Sequence, residues 1–192
     1  EETTHFSIVD KFGNAVSITT TINGSYGSKV VVDGAGFLLN NEMDDFSIKP
    51  GFPNMFGLTG GEANAIEGNK RMLSSMTPTI IEKEGELFMV LGTPGGSTII
   101  TSVFQTILNV IDFNMNIQEA VDSKKFHHQW SPDVIVIEKN TIKNDIKEDL
   151  INMGHKFNER SSIGRMDCIL VNESSKLEGG ADKRGDDIAI GF

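Results

Sequence analysis

Apolar and polar residues alternate from Phe6 to Asp10, the chain passes through Lys11-Phe12-Gly13-Asn14, and a matching run resumes as Ala15-Val16-Ser17-Ile18-Thr19. A two-residue period broken by a glycine-containing turn predicts a β-hairpin. β-Branched residues continue through Thr19-Thr20-Thr21-Ile22 and suit a pleated sheet. A second hairpin is predicted from Thr79-Ile80-Ile81 through Glu84-Gly85-Glu86 to Leu87-Phe88-Met89-Val90-Leu91. Together the two hairpins point to a largely antiparallel sheet.

The period changes downstream. Ile99, Ile100, Val103, Phe104, Ile107, Leu108 and Ile111 fall on one face of a 3.6-residue repeat, with Ser97 or Thr98 placed to cap its start. Asn116 and Glu119 have the spacing of a capping box ahead of a short helix. Residues 144–153 predict a further helix stopped by Gly154 at its C′ position. The runs Val134-Ile135-Val136-Ile137 and Cys168-Ile169-Leu170-Val171 read as strands. Strands followed by mixed helices and strands make one α+β unit spanning residues 1–192, with no repeat and no linker. Residues 34–75, rich in Gly, Asn, Asp and Pro, form a connection long enough to suggest a functional loop.

Charge narrows the chemistry. Seventeen Lys and Arg against 27 Asp and Glu leave a net charge of −10 over 192 residues, which opposes a nucleic-acid surface. No run reaches the roughly 18 apolar residues of a membrane helix. The single cysteine, Cys168, sits in an apolar run and reads as buried. Adjacent His127 and His128 point opposite ways on an extended segment, and no His-Glu-x-x-His motif accompanies them, so no metal or other cofactor is expected. His5 reads as a strand residue.

Four short segments carry potential chemistry. Thr3-Thr4 opens the first strand; a threonine hydroxyl becomes a useful nucleophile when a neighbouring base, such as its own free α-amine, takes the proton. Two threonines at that place also suit an ordinary strand. Gly95-Gly96-Ser97, just before the strongest helix, can aim backbone N–H groups at an oxyanion, or can simply be a turn after Pro94. Asn40-Asn41-Glu42-Met43-Asp44-Asp45 offers acceptors for an ammonium, and Ser74-Ser75 offers donors for a carboxylate. Jointly these two describe a clamp for an α-amino-acid head.

The ordered set Thr3-Thr4-His5-Phe6-Ser7-Ile8-Val9-Asp10, Asn40-Asn41-Glu42-Met43-Asp44-Asp45-Phe46, Asn69-Lys70-Arg71-Met72-Leu73-Ser74-Ser75-Met76 and Pro94-Gly95-Gly96-Ser97 resembles γ-glutamyltransferases. The likeness extends through Phe126-His127-His128-Gln129-Trp130 to the C-terminus. The resemblance implies an αββα sandwich of the N-terminal-nucleophile hydrolase type, produced by autocatalytic cleavage and completed by a larger subunit from the same precursor. It implies γ-glutamyl transfer or hydrolysis from glutathione and related amides, with an amino acid, peptide or water as acceptor, in a periplasmic or extracellular setting. By motif, Thr3 resembles the nucleophile, Thr4 its hydrogen-bonding support and Thr21 the threonine that positions it. Asn23, Glu42 and Asp45 resemble the α-amino site, Ser74 and Ser75 the α-carboxylate site, and Gly95 and Gly96 the oxyanion hole. A carboxylate-gripping arginine of the family lies in its large subunit. Two departures stand out: Glu1-Glu2 precede the expected processing point, and Thr98 replaces an arginine common in relatives. A related acylase or poly-γ-glutamate depolymerase, or an unprocessed binding homologue, are the alternative readings.

Overall fold

A computed structural model describes residues 3–191; the expected processing point after Glu2 lies outside the described residues. The first hairpin forms from β1 (Thr3–Val9) and β2 (Ala15–Thr21), antiparallel with Val9 opposite Ala15 and Thr3 opposite Thr21. Its turn is tied by Asp10, whose carboxylate accepts from the amides of Phe12 and Asn14 at 2.8 and 2.9 Å. Two short strands, β3 (Val31–Val32) and β4 (Phe37–Leu38), follow. The second hairpin, β5 (Thr79–Lys83) and β6 (Glu86–Gly92), joins β10 (Asp167–Val171) and β11 (Leu177–Ala181) in an antiparallel sheet ordered β11-β10-β6-β5.

Helix α1 (Ile99–Ile111) and helix α2 (Ile117–Asp122) pack on this sheet, and the core forms between them. Met89, Leu91, Cys168 and Leu170 from the strands meet Val103, Val110, Ile117, Ala120 and Val121 from the helices. Burial pushes the Cys168 thiol far above its ordinary pKa, so it behaves as a small apolar side chain. The capping box at Asn116 and Glu119 is formed. Gly180 lets α2 approach β11, since a Cβ there would lie 3.0 Å from Val121 Cγ2.

The hairpin β1–β2 lies against the other side of the sheet, across β10, β6 and β5. Within this chain the hairpin turns its polar face, not its apolar face, to the sheet. Thr3, His5, Ser7, Ser17, Thr19 and Thr21 face inward, while Phe6, Ile8, Val16 and Ile18 are exposed. Small polar residues permit close stacking, and their hydroxyls bind backbone across the gap: Ser7 Oγ donates to the Asp167 carbonyl at 3.0 Å and Ser17 Oγ to the Leu91 carbonyl at 3.0 Å.

His5 is buried in this seam, with Nδ1 2.8 Å from Thr19 Oγ1 and Nε2 3.1 Å from Ser7 Oγ. Desolvation lowers its pKa from 6.5 to about 4. Because the folded value is depressed, the neutral ring stabilises the fold fully above pH 6.5, and that contribution is lost as pH falls towards 4. The loss should amount to roughly 3 kcal/mol at most. Thermal unfolding across this window should show His5→Gln with a flatter acid limb than the parent; parallel curves would remove His5 as the cause.

A further sheet, β7 (Phe126–His127), β8 (Ile135–Glu138) and β9 (Phe157–Arg160), lies outside both hairpins and is mixed, with β7 antiparallel to β8. α3 (Asn144–Asn152) carries the chain over so that β9 pairs parallel to β8. Gly154, at φ 101°, follows this helix as predicted. At the end of β8, Glu138 and Asp182 grip Arg184: Nε donates to Glu138 Oε1 at 2.6 Å and Nη1 to Asp182 Oδ1 at 2.9 Å. Lys125 Nζ, buried beside them, lies 3.9 Å from Asp182. Burial lowers the Lys125 pKa to about 8. Glu138 Oε1 also accepts from the Ile163 amide at 3.1 Å, which fixes the loop after β9.

Candidate active site

The hairpin register decides where Thr3 sits. Pairing opposite Thr21 puts both side chains on the inward face, and Thr3 Oγ1 donates to Thr21 Oγ1 at 2.9 Å. Thr21 Oγ1 in turn accepts from the Asn23 amide at 2.9 Å. Asn23 holds a left-handed backbone, φ 72°, which asparagine tolerates well, and its Nδ2 donates to the Asn41 carbonyl at 3.2 Å. That bond joins the end of β2 to the loop carrying the acidic residues. Thr4 takes the alternate side of β1 and is exposed, so its side chain is not brought to Thr3.

Thr3, Thr21 and Asn23 line a cavity of about 420 Å³ together with Asp45, Ser74, Ser75, Gly96 and Ser97. Asp45 ends a 3-10 turn, Glu42–Asp45, and is 7% exposed. Burial raises its pKa, while Ser75 Oγ, donating to Asp45 Oδ2 at 2.8 Å, opposes that rise. Ser74 Oγ donates to the Met76 carbonyl at 2.9 Å. Both serine hydroxyls therefore already have partners that a bound carboxylate would have to replace. Glu42, on the same turn, does not line the cavity; burial and the nearby Asp45 raise its pKa. The structure thus brings Asp45, not Glu42, to the pocket.

Asn64, which no sequence motif singles out, ties the Asp45 turn to the segment that leads into Ser74 and Ser75. Its Nδ2 donates to the Asp45 carbonyl at 2.7 Å and its Oδ1 accepts from the Leu73 amide at 3.0 Å. The only signal for it was its place in the long Gly- and Asn-rich connection. Phe46, Phe52, Phe56 and Ile100 give the cavity an apolar wall that periodicity did not reveal either.

Gly95 and Gly96 both have positive φ, 150° and 57°, a conformation open to residues without a Cβ. Thr98 Oγ1 donates back to the Gly95 carbonyl at 2.8 Å. It closes the glycine turn rather than capping α1 by side chain, which corrects the expected cap. Gly96 lines the main cavity; Gly95 lines a second one, of about 240 Å³, and Thr3 borders both. The Thr3 hydroxyl, the backbone of Gly96 and the side chains of Asp45, Ser74 and Ser75 around one cavity are groups of the kind that acyl transfer can use.

The gamma-glutamyltranspeptidase family profile matches residues 1–192. The chain belongs to that family. Glutathione hydrolase proenzyme of Escherichia coli (strain K12) is 47% identical over 192 residues, covering 100% of this chain and 33% of that protein. The Pseudomonas sp. (strain A14) proenzyme of the same name is 53% identical over 173 residues, covering 90% and 30%. A mutant Helicobacter pylori gamma-glutamyltranspeptidase of known structure superposes with a TM-score of 0.89 at 55% identity, over 95% of this chain and 100% of that chain. The chain spans about a third of the length of the curated relatives it matches. Its stack of one helical and two strand layers is the α+β arrangement of the transpeptidase family's N-terminal-nucleophile hydrolase fold.

Other sequence candidates fall outside the site. His127 is buried, with Nδ1 2.9 Å from Thr101 Oγ1 and Nε2 2.9 Å from Gln129 Oε1, while His128 meets Asp133 at 3.1 Å. Among the described residues, no group of three or more His, Cys, Asp or Glu is arranged to hold a metal ion. No described helix is long and apolar enough to cross a membrane.

Proposed function

We propose that this chain is the catalytic subunit of a two-chain enzyme that transfers or hydrolyses the γ-glutamyl group of glutathione and related amides, with Thr3 as nucleophile. The supporting observation is the Thr3–Thr21 hydroxyl pair at the edge of the cavity that also holds Asp45, Ser74 and Ser75. The names of the relatives, glutathione hydrolase, agree with that donor.

Thr3 Oγ1 attacks the γ-carbonyl carbon, and its proton passes to the α-amine that cleavage before Thr3 would free. Backbone N–H groups of Gly95 and Gly96 hold the tetrahedral oxygen, where one donor contributes about 3 to 4 kcal/mol. The C–N bond then breaks, the leaving nitrogen takes the proton, and the glutamyl group remains as an ester on Thr3. Water, an amino acid or a peptide amine resolves that ester. Asn23 and Asp45 receive the substrate ammonium and Ser74 and Ser75 its carboxylate.

A larger subunit from the same precursor fits the exposed Phe6, Ile8, Val16 and Ile18 on the outer face of β1–β2, where a further layer would complete the αββα sandwich. The family's periplasmic or extracellular setting is carried over with that reading. The deciding experiment expresses the full-length gene, sequences the new N-terminus and assays a chromogenic γ-glutamyl amide. A terminus at Thr3 with turnover is expected. An uncut, inactive precursor would sink the enzyme reading in favour of a binding homologue.

A further inference from the structure

We infer that the second cavity is the acceptor subsite, and that Arg160 holds the carboxylate of the incoming amino acid or peptide. The inference rests on the proposed role of Thr3 and concerns only how the acyl-enzyme is resolved. Thr3 borders two cavities: the larger contains Asp45, Ser74 and Ser75, and the smaller contains Gly95, Arg160, Ser162 and Arg165. A glutamyl ester on Thr3 with its amino-acid head in the larger cavity leaves its carbonyl carbon at the boundary. The incoming amine needs a different approach, and the smaller cavity opens at the same residue.

Charge identifies the acceptor's class. Three guanidinium groups line the smaller cavity, but two are engaged by carboxylates. Arg184 is held by Glu138 and Asp182. Arg165 Nε lies 3.0 Å from Asp187 Oδ2, and its Nη1 lies 4.0 Å from Asp186 Oδ1. No ion pair to Arg160 is present among the described residues. Its planar fork of donors suits bidentate binding of a carboxylate. Its backbone is anchored, because Arg160 pairs with Glu138 across β8 and β9, and Glu138 also binds Arg184 and the Ile163 amide. A volume of about 240 Å³ favours a compact acceptor over a protein-sized one.

In the resolving step the acceptor's neutral amine attacks the acyl carbon, a C–N bond forms, and the C–O bond to Thr3 breaks. The proton shed by the nitrogen returns to Thr3 Oγ1. Water can perform the same step without Arg160, so the subsite should affect transfer and leave hydrolysis alone.

The test uses the mature two-chain enzyme, a chromogenic γ-glutamyl amide as donor, and glycylglycine or glycylglycinamide as acceptor. Arg160→Gln should lower transfer kcat/KM for glycylglycine by about tenfold, the scale of one charge-assisted contact, mainly through acceptor KM. Transfer to the amide should be unchanged, and hydrolysis without acceptor should stay within about twofold, which also reports intact folding. Arg160→Lys should recover part of the loss. Equal loss with both acceptors, or no loss with either, would overturn the acceptor site while the Thr3 reading stands. A parent enzyme without donor hydrolysis would sink the Thr3 reading and this inference with it.

Discussion

Replacing Thr3 by alanine in the mature two-chain enzyme should lower kcat/KM for a chromogenic γ-glutamyl amide by roughly 10⁴-fold or more, the scale seen when a covalent nucleophile is removed. The structural cost should be small. Thr3 is only partly buried, and its side-chain bond at 2.9 Å goes to Thr21 Oγ1, which keeps the Asn23 amide as a partner. A melting temperature close to the parent's, with turnover lost, is the expected pair of results. Thr3→Ser keeps an oxygen at the same place and should retain measurable activity. If Thr3→Ala kept full turnover, Thr21 would be the next hydroxyl to test, because the two oxygens stand together at the cavity's edge.

That Thr3–Thr21 pair shows how far local pattern reached. The alternation beginning at Phe6, with its turn at Lys11-Phe12-Gly13-Asn14, predicts the hairpin, and extending its register brings Thr3 opposite Thr21. The pattern did not say which face would be covered. Alternation normally buries the apolar side; within this chain it is the hydroxyl-bearing face that is buried, against β6 and β10, and the apolar face is left for the further layer proposed above.

Helix α1 and the Asn116 capping box were legible because each depends on residues within a turn or two of one another. β9 and β11 were not. Phe157-Asn158-Glu159-Arg160 has one apolar residue, and Leu177-Glu178-Gly179-Gly180-Ala181 contains two glycines, weak strand formers that are used here to admit α2 and Ala189. Their strand state comes from non-local pairing, with β8 and β10 respectively. The site divides similarly. Thr3, Asp45, Ser74, Ser75 and the glycine turn could be named from motifs, whereas Asn64 acts through contacts across residues 45–73 that no spacing announces.

Asp45→Asn should reduce donor kcat/KM by roughly a hundredfold, on the scale of a lost charge-assisted bond of a few kcal/mol. The substitution preserves size and leaves an amide oxygen able to accept from Ser75 Oγ, now 2.8 Å from Asp45 Oδ2, so the two clamp loops should stay tied. Burial disfavours the Asp45 charge, which raises its pKa. Neutralising it should therefore cost the fold little, and an unchanged melting temperature would separate a binding role from a structural one. The raised pKa also sets a sign. As pH falls through it, Asp45 takes a proton while the substrate ammonium keeps its charge, so donor kcat/KM should decline on the acid side in the parent. Asp45→Asn should lack that limb. The sharper measurement pairs the variant with a donor lacking its α-amine: the parent should lose most of the hundredfold on this analogue, and Asp45→Asn should lose little more. An undiminished penalty for the deaminated donor on Asp45→Asn would mean that the ammonium binds elsewhere. Glu42 would then be the carboxylate to test, although it would have to turn from its present position outside the cavity to reach the substrate.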